Sequence, residues 1–459
     1  MQGNAAGGKG LTLALAAQAL ELRYEALPDD VRLVARDCLT DWLACALAAV
    51  RDPVTRIALA LAVEEGGAGG STIVGHPHPA TLSQAALVNG AMSHVLDYDD
   101  VNLQVPGHLS VAILPALLAL SESRKAAGDS FLSAFVAGYE FACRVGALLE
   151  PAHYANGFHA TATIGSLGVA VACAHLLRLD AEQTAHAIGT AATQAAGLKC
   201  MFGTMAKPLH AGLASQAGLR AALLASKGFK SRNDALECNQ GFAQTHGSDF
   251  FVEKAWEQPA HGYHLLNNLF KFHAACYSTH ATIEAIGELR RAYELTPSQV
   301  QDIHVLVGEG CRICDLQNPR TELEAKFSLR AAAAFALLDM PTSELACWAR
   351  VGDAKVAQEL HKVRTELVPT LGLSDAVVSV RLNDGRSLQQ AYDCGIPLVD
   401  KRAQSEKVRA KYAALANPMA GDALQARALD IIDELGAENG PAALMQALRT
   451  DLSAGGNRY

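Results

Sequence analysis

Aromatic residues are scarce, at 6% of 459 residues, while alanine recurs throughout. A chain with few large rings and many small side chains suits closely packed helices better than a β-sandwich. Positive charge is also in deficit: 38 Lys and Arg stand against 47 Asp and Glu, a net charge of −9. No basic stripe interrupts that balance, so nucleic-acid binding through bulk charge is excluded. An anionic substrate must then be held by a few locally placed cations. With 50% hydrophobic and 19% charged residues the chain is not intrinsically disordered. Its length suits about two to four units of roughly 150 residues each.

Paired cysteine motifs are missing too. Eleven cysteines are scattered along the chain, many inside apolar runs. An odd, dispersed set points to reduced thiols and a cytoplasmic protein. Cys311-Arg312-Ile313-Cys314 has CxxC spacing, but a structural zinc site needs a second such pair, and none exists. The pair therefore reads as two small loop residues after a strand. Near the N-terminus, Lys9 followed by residues 11–20 faintly resembles a signal peptide. The pattern continues through Glu21, Leu22, Arg23 and Glu25 to Ala26, which predicts an ordinary helix. Residues 151–177 lack Asp, Glu, Lys and Arg and are long enough to span a membrane. They carry His153, Asn156, His159, Thr161, Thr163 and His175, with Gly165 and Gly168, which predicts a buried helix lining a polar pocket and no membrane partner.

From Asp29 to about residue 260 the pattern is mostly helical. Pro28-Asp29-Asp30 precedes Val31, Val34, Cys38 and Trp42 at helical spacing. Residues 132–149 and 208–227 read as further helices. Ala211, Ala214, Gly218 and Ala222 form a small-residue stripe suited to close helix packing. Near residue 265 the character changes. Residues 302–307 alternate with period two, as a half-buried strand does, and residues 376–382 read as another. Asn383-Asp384-Gly385-Arg386 supplies a hairpin turn before a return strand to about Tyr392. Thr321 with Glu324 makes a capping box that predicts a helix through Phe327 to Leu338. The organisation is thus a helical part over 1–266, a smaller α+β part over 267–399 and a helical return over 400–459.

Four segments could carry chemistry. The first holds His94, Asp97, Asp99 and Asp100, followed by His108. Three carboxylates in four residues are costly to bury without partners. They read as divalent-metal ligands, as a carboxylate orienting a histidine, or as a solvated helix end. The second places His159 where the apolar helix starts, and the positive end of a helix favours a neutral imidazole able to act as a base. Taken alone, a satisfied core histidine is the simpler reading. The third sets Lys207 beside Pro208 at another helix start. A cation there meets like charge, which makes sense if an anion binds between them. The fourth, 268–280, sets Lys271 among apolar residues at the domain junction, where clefts form.

In this order the segments resemble the MmgE/PrpD family. The matching text is His94-x-Leu96-Asp97-Tyr98-Asp99-Asp100, Gly157-x-His159-x-Thr161-x-Thr163-x-Gly165 and Lys207-x-x-His210-Ala211-Gly212. Gly228-Phe229, Phe270-Lys271 and Lys326-Phe327-Ser328-Leu329 complete it. No piece is decisive alone, but the ordered set spans nearly the whole chain. The family includes 2-methylcitrate dehydratase, cis-aconitate decarboxylase and iminodisuccinate epimerase. The resemblance implies a large helical domain built from both chain ends, a smaller α+β lid domain, a homodimer, and chemistry without a cofactor or metal. It implies a catalytic pocket of Asp97, His108, His159, Lys207 and Lys271, with His210, His273 and Cys276 as candidate substrate contacts. Decarboxylase-like members have a histidine where Cys276 stands, and a tyrosine where Ala331 stands. These departures weigh against cis-aconitate decarboxylation itself.

The expected activity is proton abstraction next to a carboxylate of a small di- or tricarboxylate, by a dehydratase- or decarboxylase-type lyase. Alternatives are an epimerase of an iminodisuccinate-like acid, a non-catalytic binding member of the same fold, and a magnesium-dependent all-helical synthase using the Asp97–Asp100 run. The synthase would need a second metal motif and an aromatic-lined cavity, and the sequence offers neither.

Overall fold

A computed structural model describes residues 10–247 and 250–453. The chain divides into two compact units. One runs to Asn268 and resumes at Asp400; the other spans Leu269–Val399. The first is built of helices and the second of helices on a mixed sheet, which is the helical plus α+β class read from the sequence.

In the helical unit, Asp29–Ala48 buries Val31, Val34, Cys38 and Trp42 on one stripe. Asp29 and Asp30 in its first turn complement the helix dipole. The helix Gly128–Leu149 starts four residues before the apolar pattern does. It is long and apolar enough to cross a membrane by length and composition, yet 94% of its most apolar window is buried inside the protein. The charge-free stretch 151–177 forms a short turn, Ala152–Ala155, and then the helix Ala160–Leu176, whose residues are all buried up to Ala174.

Glycines let three helix pairs touch backbone to backbone. A Cβ on Gly90 of the helix Leu82–Ser93 would lie 2.7 Å from the Gly212 Cα of the helix Ala206–Ala225. One on Gly218 would meet the Ser166 carbonyl at 2.5 Å, and one on Gly138 the Gly168 carbonyl at 2.5 Å. The small-residue stripe is therefore a packing device. The N-terminal helix is shorter than its pattern: Leu11–Leu20 is followed by a separate turn at Tyr24–Ala26. The Arg23 guanidinium donates to the Leu20 and Leu22 carbonyls at the point where the helix stops. Lys9 lies outside the described residues.

The second unit centres on four strands in the order Val363–Val368, Val300–Gly308, Asp375–Leu382, Ser387–Asp393. The first pair is parallel and the others antiparallel. Val300, Ile303, Val305 and Val307 face the core, as the alternation predicts. Gly385 takes φ of 90° in the hairpin turn, a left-handed backbone that glycine adopts without strain. The strand Val363–Val368 has no sequence counterpart in the reading above, because its burial alternates only weakly. The helix expected from Thr321 to Leu338 is two helices. The capping box opens Glu322–Lys326, and Ser328 then caps a second, Leu329–Leu337, by accepting from the Ala331 N–H. Its hydroxyl also donates to the Leu316 carbonyl at 2.7 Å, which holds the break in place.

Candidate active site

Three helix starts supply the site. His108 is the N-cap residue of Leu109–Arg124, and His159 is the N-cap residue of Ala160–Leu176. Lys207 lies in the first turn of Ala206–Ala225. None of the three N-cap residues caps its helix through a side chain, although the Thr204 hydroxyl accepts from the Ala206 N–H at 3.2 Å, and none of the helices has an acidic residue in its first turn. Their positive dipole ends are therefore uncompensated by first-turn acids. Pro208 is the third residue of its helix rather than the first; its missing N–H is still one that the first turn leaves unpaired.

Close backbone contacts bring the starts together. The His108 N–H donates to the Thr161 hydroxyl at 2.9 Å, tying the first two starts. The His159 N–H donates to the Gly197 carbonyl at 3.0 Å. Gly197 has φ of 152°, and a Cβ there would lie 2.6 Å from Ala162 and 3.5 Å from His210 Nδ1. The Gly90–Gly212 contact draws the start of the third helix toward the loop that follows Ser93. In that loop Asp97 takes φ of 49°, a left-handed conformation that Asp tolerates better than most residues.

Lys207 Nζ is 2.7 Å from Asp97 Oδ1, and His108 Nε2 is 3.5 Å from the same oxygen. Asp99 is fully buried between two imidazoles. His94 Nδ1 lies 3.0 Å from each of its oxygens, so the Nδ1–H tautomer donates to the carboxylate. His108 Nδ1 is 2.8 Å from Asp99 Oδ2, a close but poorly aligned contact. Such contacts commonly tighten when substrate arrives. His159 Nδ1 is 3.1 Å from His210 Nδ1, so one ring donates and the other accepts. The His159 ring stacks 5.8 Å from His94 and meets Phe202 edge-on at 5.0 Å.

These contacts set the charge states. Burial pushes the Asp99 carboxyl up, but the facing His94 and His108 outweigh it and hold it well below the usual carboxylate range. Burial pulls His94 down to about 4. Burial, then the nearby His94, Lys207, His108 and His210, holds His159 far below the usual imidazole range. His210 is lowered by burial. The result is an ionised Asp99 carboxylate in a cluster where His94, His159 and His210 are all pushed toward the neutral form, with Lys207 nearby. A neutral imidazole with a fixed tautomer is suited to accept a proton.

A buried network backs the loop. Lys411 Nζ is 2.6 Å from Asp41 Oδ1 and also donates to the Tyr98 carbonyl. Asp41 Oδ2 accepts from the Asp100 N–H at 3.0 Å. Asp100 Oδ2 accepts from Ser110 at 2.5 Å and from Asn268 at 2.7 Å. The solvated-helix-end reading of the acidic run therefore fails for Asp99 and Asp100, which are buried. Only the Asp97 side chain is partly open, at 38%.

Donor atoms of His94, Asp97, Asp99 and His108 all lie within 4.8 Å of one another, a spacing that could hold a divalent ion. Lys207 is already paired with Asp97 Oδ1, and its charge would oppose the ion. The set as arranged suits a substrate anion better than a cation.

The geometry thus joins Asp97, His108, His159, Lys207 and His210 in one cluster of the helical unit. It adds His94 and Asp99, which the candidate set omitted although both stand in the quoted motif. Their five-residue separation across a helix end was the available signal. Lys271, His273 and Cys276 belong to the second unit. Lys271 is buried there. His273 Nδ1 is 2.8 Å from Thr342 Oγ1, and its Nε2 is 3.4 Å from Glu284.

The MmgE/PrpD N-terminal domain matches residues 13–254 and the MmgE/PrpD C-terminal domain residues 273–436. The chain belongs to the MmgE/PrpD family. Among relatives, cis-aconitate decarboxylase of Aspergillus terreus is 25% identical over 439 residues, covering 89% of each chain. The Homo sapiens cis-aconitate decarboxylase is 30% identical over 375 residues, covering 76% of each. That of Mus musculus is 29% identical over 373 residues, covering 76% of this chain and 75% of its own. His94, Asp97, Asp99, His108, His159, Lys207 and His210 all lie inside the MmgE/PrpD N-terminal match.

Proposed function

We propose that this MmgE/PrpD member is a lyase acting on a small di- or tricarboxylate, by dehydration or decarboxylation at a carbon next to a carboxylate. The observation that carries this reading is the meeting of Lys207, neutral His159 and the His94–Asp99–His108 cluster at three helix starts without first-turn acids. The relatives reported above, which are named cis-aconitate decarboxylases, support the reaction class.

In this scheme a substrate carboxylate competes with Asp97 for Lys207 and faces the positive helix ends. His159 or His108 exchanges the proton on the reacting carbon. Asp97 and Asp99 orient His108 from either side and keep its ring in place. Negative charge that builds on the substrate as its bond breaks is stabilised by Lys207 and the helix dipoles, usually the largest catalytic effect. Lys271 is kept as a further catalytic lysine on the family resemblance, with His273 and Cys276 as candidate substrate contacts. Cys276 and Ala331, at positions of a histidine and a tyrosine in decarboxylase-like members, favour an acid other than cis-aconitate. No organic cofactor enters the scheme.

The test is a panel of citrate-, aconitate- and succinate-like acids in deuterated water. Products are resolved by NMR, carbon dioxide is trapped, and binding is followed by thermal shift. Water loss or carbon dioxide release from one acid is the expected result. Inversion of a stereocentre with deuterium uptake and no net loss would replace the lyase with an epimerase. Binding without exchange or turnover across the panel would sink the catalytic reading. We propose in addition that the chain pairs with itself. Leu198, Met201, Phe202, Met205 and Leu213 are exposed near the start of the Ala206–Ala225 helix, an apolar set suited to an interface. Light scattering at the mass of one chain would exclude the dimer.

A further inference from the structure

Three of the eleven cysteines gather inside the second unit. The Cys276 N–H donates to the Lys326 carbonyl at 3.0 Å, and Asp315 bridges Ser328 just beyond. The short helical turn Glu309–Cys314 packs against the turn Tyr277–Thr279. The Cys314 thiol lies within hydrogen-bonding reach of the Cys276 sulfur, and Ser278 reaches both Cys311 and Cys314. Cys311 Sγ is engaged with the Leu373 carbonyl at 3.4 Å. Cys311 and Cys314 are fully buried, and Cys276 is half-buried. The trio thus sets a half-buried cysteine against a buried sulfur within hydrogen-bonding reach of it.

We propose that Cys276 and Cys314 form a peroxide-reactive dithiol that closes reversibly to a disulfide. The roles follow from the contacts. Donation from the Cys314 S–H stabilises negative charge on the Cys276 sulfur. The same bond, then burial, holds the Cys314 thiol far above the usual range. Cys276 is therefore the attacking thiolate and Cys314 the resolving thiol. The Cys276 sulfur attacks one peroxide oxygen; an S–O bond forms, the O–O bond breaks, and the departing hydroxide takes a proton to become water. Cys276 is now a sulfenic acid. The Cys314 sulfur then attacks the Cys276 sulfur and releases its proton. The S–S bond forms, the S–O bond breaks, and a second water leaves. Two thiols lose two electrons and one peroxide becomes two waters. A thiol reductant reverses the step by exchange.

This inference does not depend on the lyase reading, and its test needs no turnover. The full-length protein is treated with hydrogen peroxide, digested without reductant and mapped by mass spectrometry. Exposed Cys200 serves as the internal comparison. The expected product is a peptide pair joining Cys276 to Cys314, two hydrogens lighter than the separate thiols, formed several-fold faster than Cys200 oxidises and undone by dithiothreitol. Cys311→Ser is expected to keep the link. Cys314→Ser is expected to remove it and to leave a Cys276 sulfenic acid that dimedone captures. Near-UV circular dichroism checks that both variants are folded. The wild-type map stands on its own if a variant is not. No 276–314 link while Cys200 oxidises would overturn the proposal, as would a link from Cys276 to Cys311 or to another chain.

Discussion

The two sides of the acidic loop after Ser93 use the same residue types for different ends. On the open side, Asp97 meets Lys207 with 38% of its side chain exposed, and burial favours the neutral form of the nearby His94 and His159. On the closed side, Asp41 and Lys411 are sealed, and Asp100 is buried against Ser110 and Asn268. Both sides contain a lysine–aspartate pair near 2.7 Å. An exposed or half-exposed pair contributes little to stability, so its charges are free to serve a ligand. A sealed pair cannot lose one partner without stranding a charge away from water. The contrast teaches that a short ionic distance says nothing about role until burial is known.

The largest test of this contrast is Lys411→Met. It leaves Asp41 buried without its cation and should cost about 3–5 kcal/mol, read as a fall in the urea midpoint. Lys207→Met should change stability by about 1 kcal/mol or less. Equal losses from the two substitutions would erase the distinction. Next come Lys207→Ala and His159→Ala. Each should lower kcat/KM on the substrate found in the panel by roughly a hundredfold, with an unchanged melting temperature. Near-normal turnover would remove that residue from the mechanism. Gly90→Ala is smaller in scale. Its Cβ would press on the Gly212 backbone at 2.7–3.0 Å and should cost about 1–3 kcal/mol of stability, while also displacing Lys207.

The subtlest test is pH. Burial, then Asp41, pushes Asp100 up to about 7, so the folded state holds a proton that the unfolded chain releases near pH 4. Stability from this group is present below about pH 4 and is lost as pH rises through about 7. His94 acts oppositely: burial lowers it to about 4, so its contribution is present above the ordinary imidazole range and lost as pH falls toward 4. Asp100→Asn removes only the first slope. Between pH 4 and 7 the wild type should lose stability relative to that variant, measured by denaturant midpoints at each pH. A constant difference would place the Asp100 proton elsewhere.

Much of the molecule was legible before folding. The alanine-rich composition, the Asp29 helix start, the Val300–Gly308 alternation and the Asp384-Gly385 hairpin are local signals, and the structure keeps each of them. The break at Ser328 was not legible, because the hydroxyl that makes it bonds the Leu316 carbonyl, a partner twelve residues away. The strand Val363–Val368 was missed for a related reason: it is held by pairing to Val300–Gly308 rather than by its own pattern. His94 and Asp99 were in view as motif text but carried no assigned role. Only the folded chain shows that one buried carboxylate faces two imidazoles.

By itself the sequence determined the family, the helical and α+β halves, and the set of cationic and imidazole residues available for an anion, because these depend on local spacing and composition. Tertiary structure decided which aspartates are sealed and which is open, which histidines stay neutral, and which cysteines share a contact. Charge state and reactivity follow from desolvation and from neighbours brought in by distant segments, and neither is encoded at the residue itself.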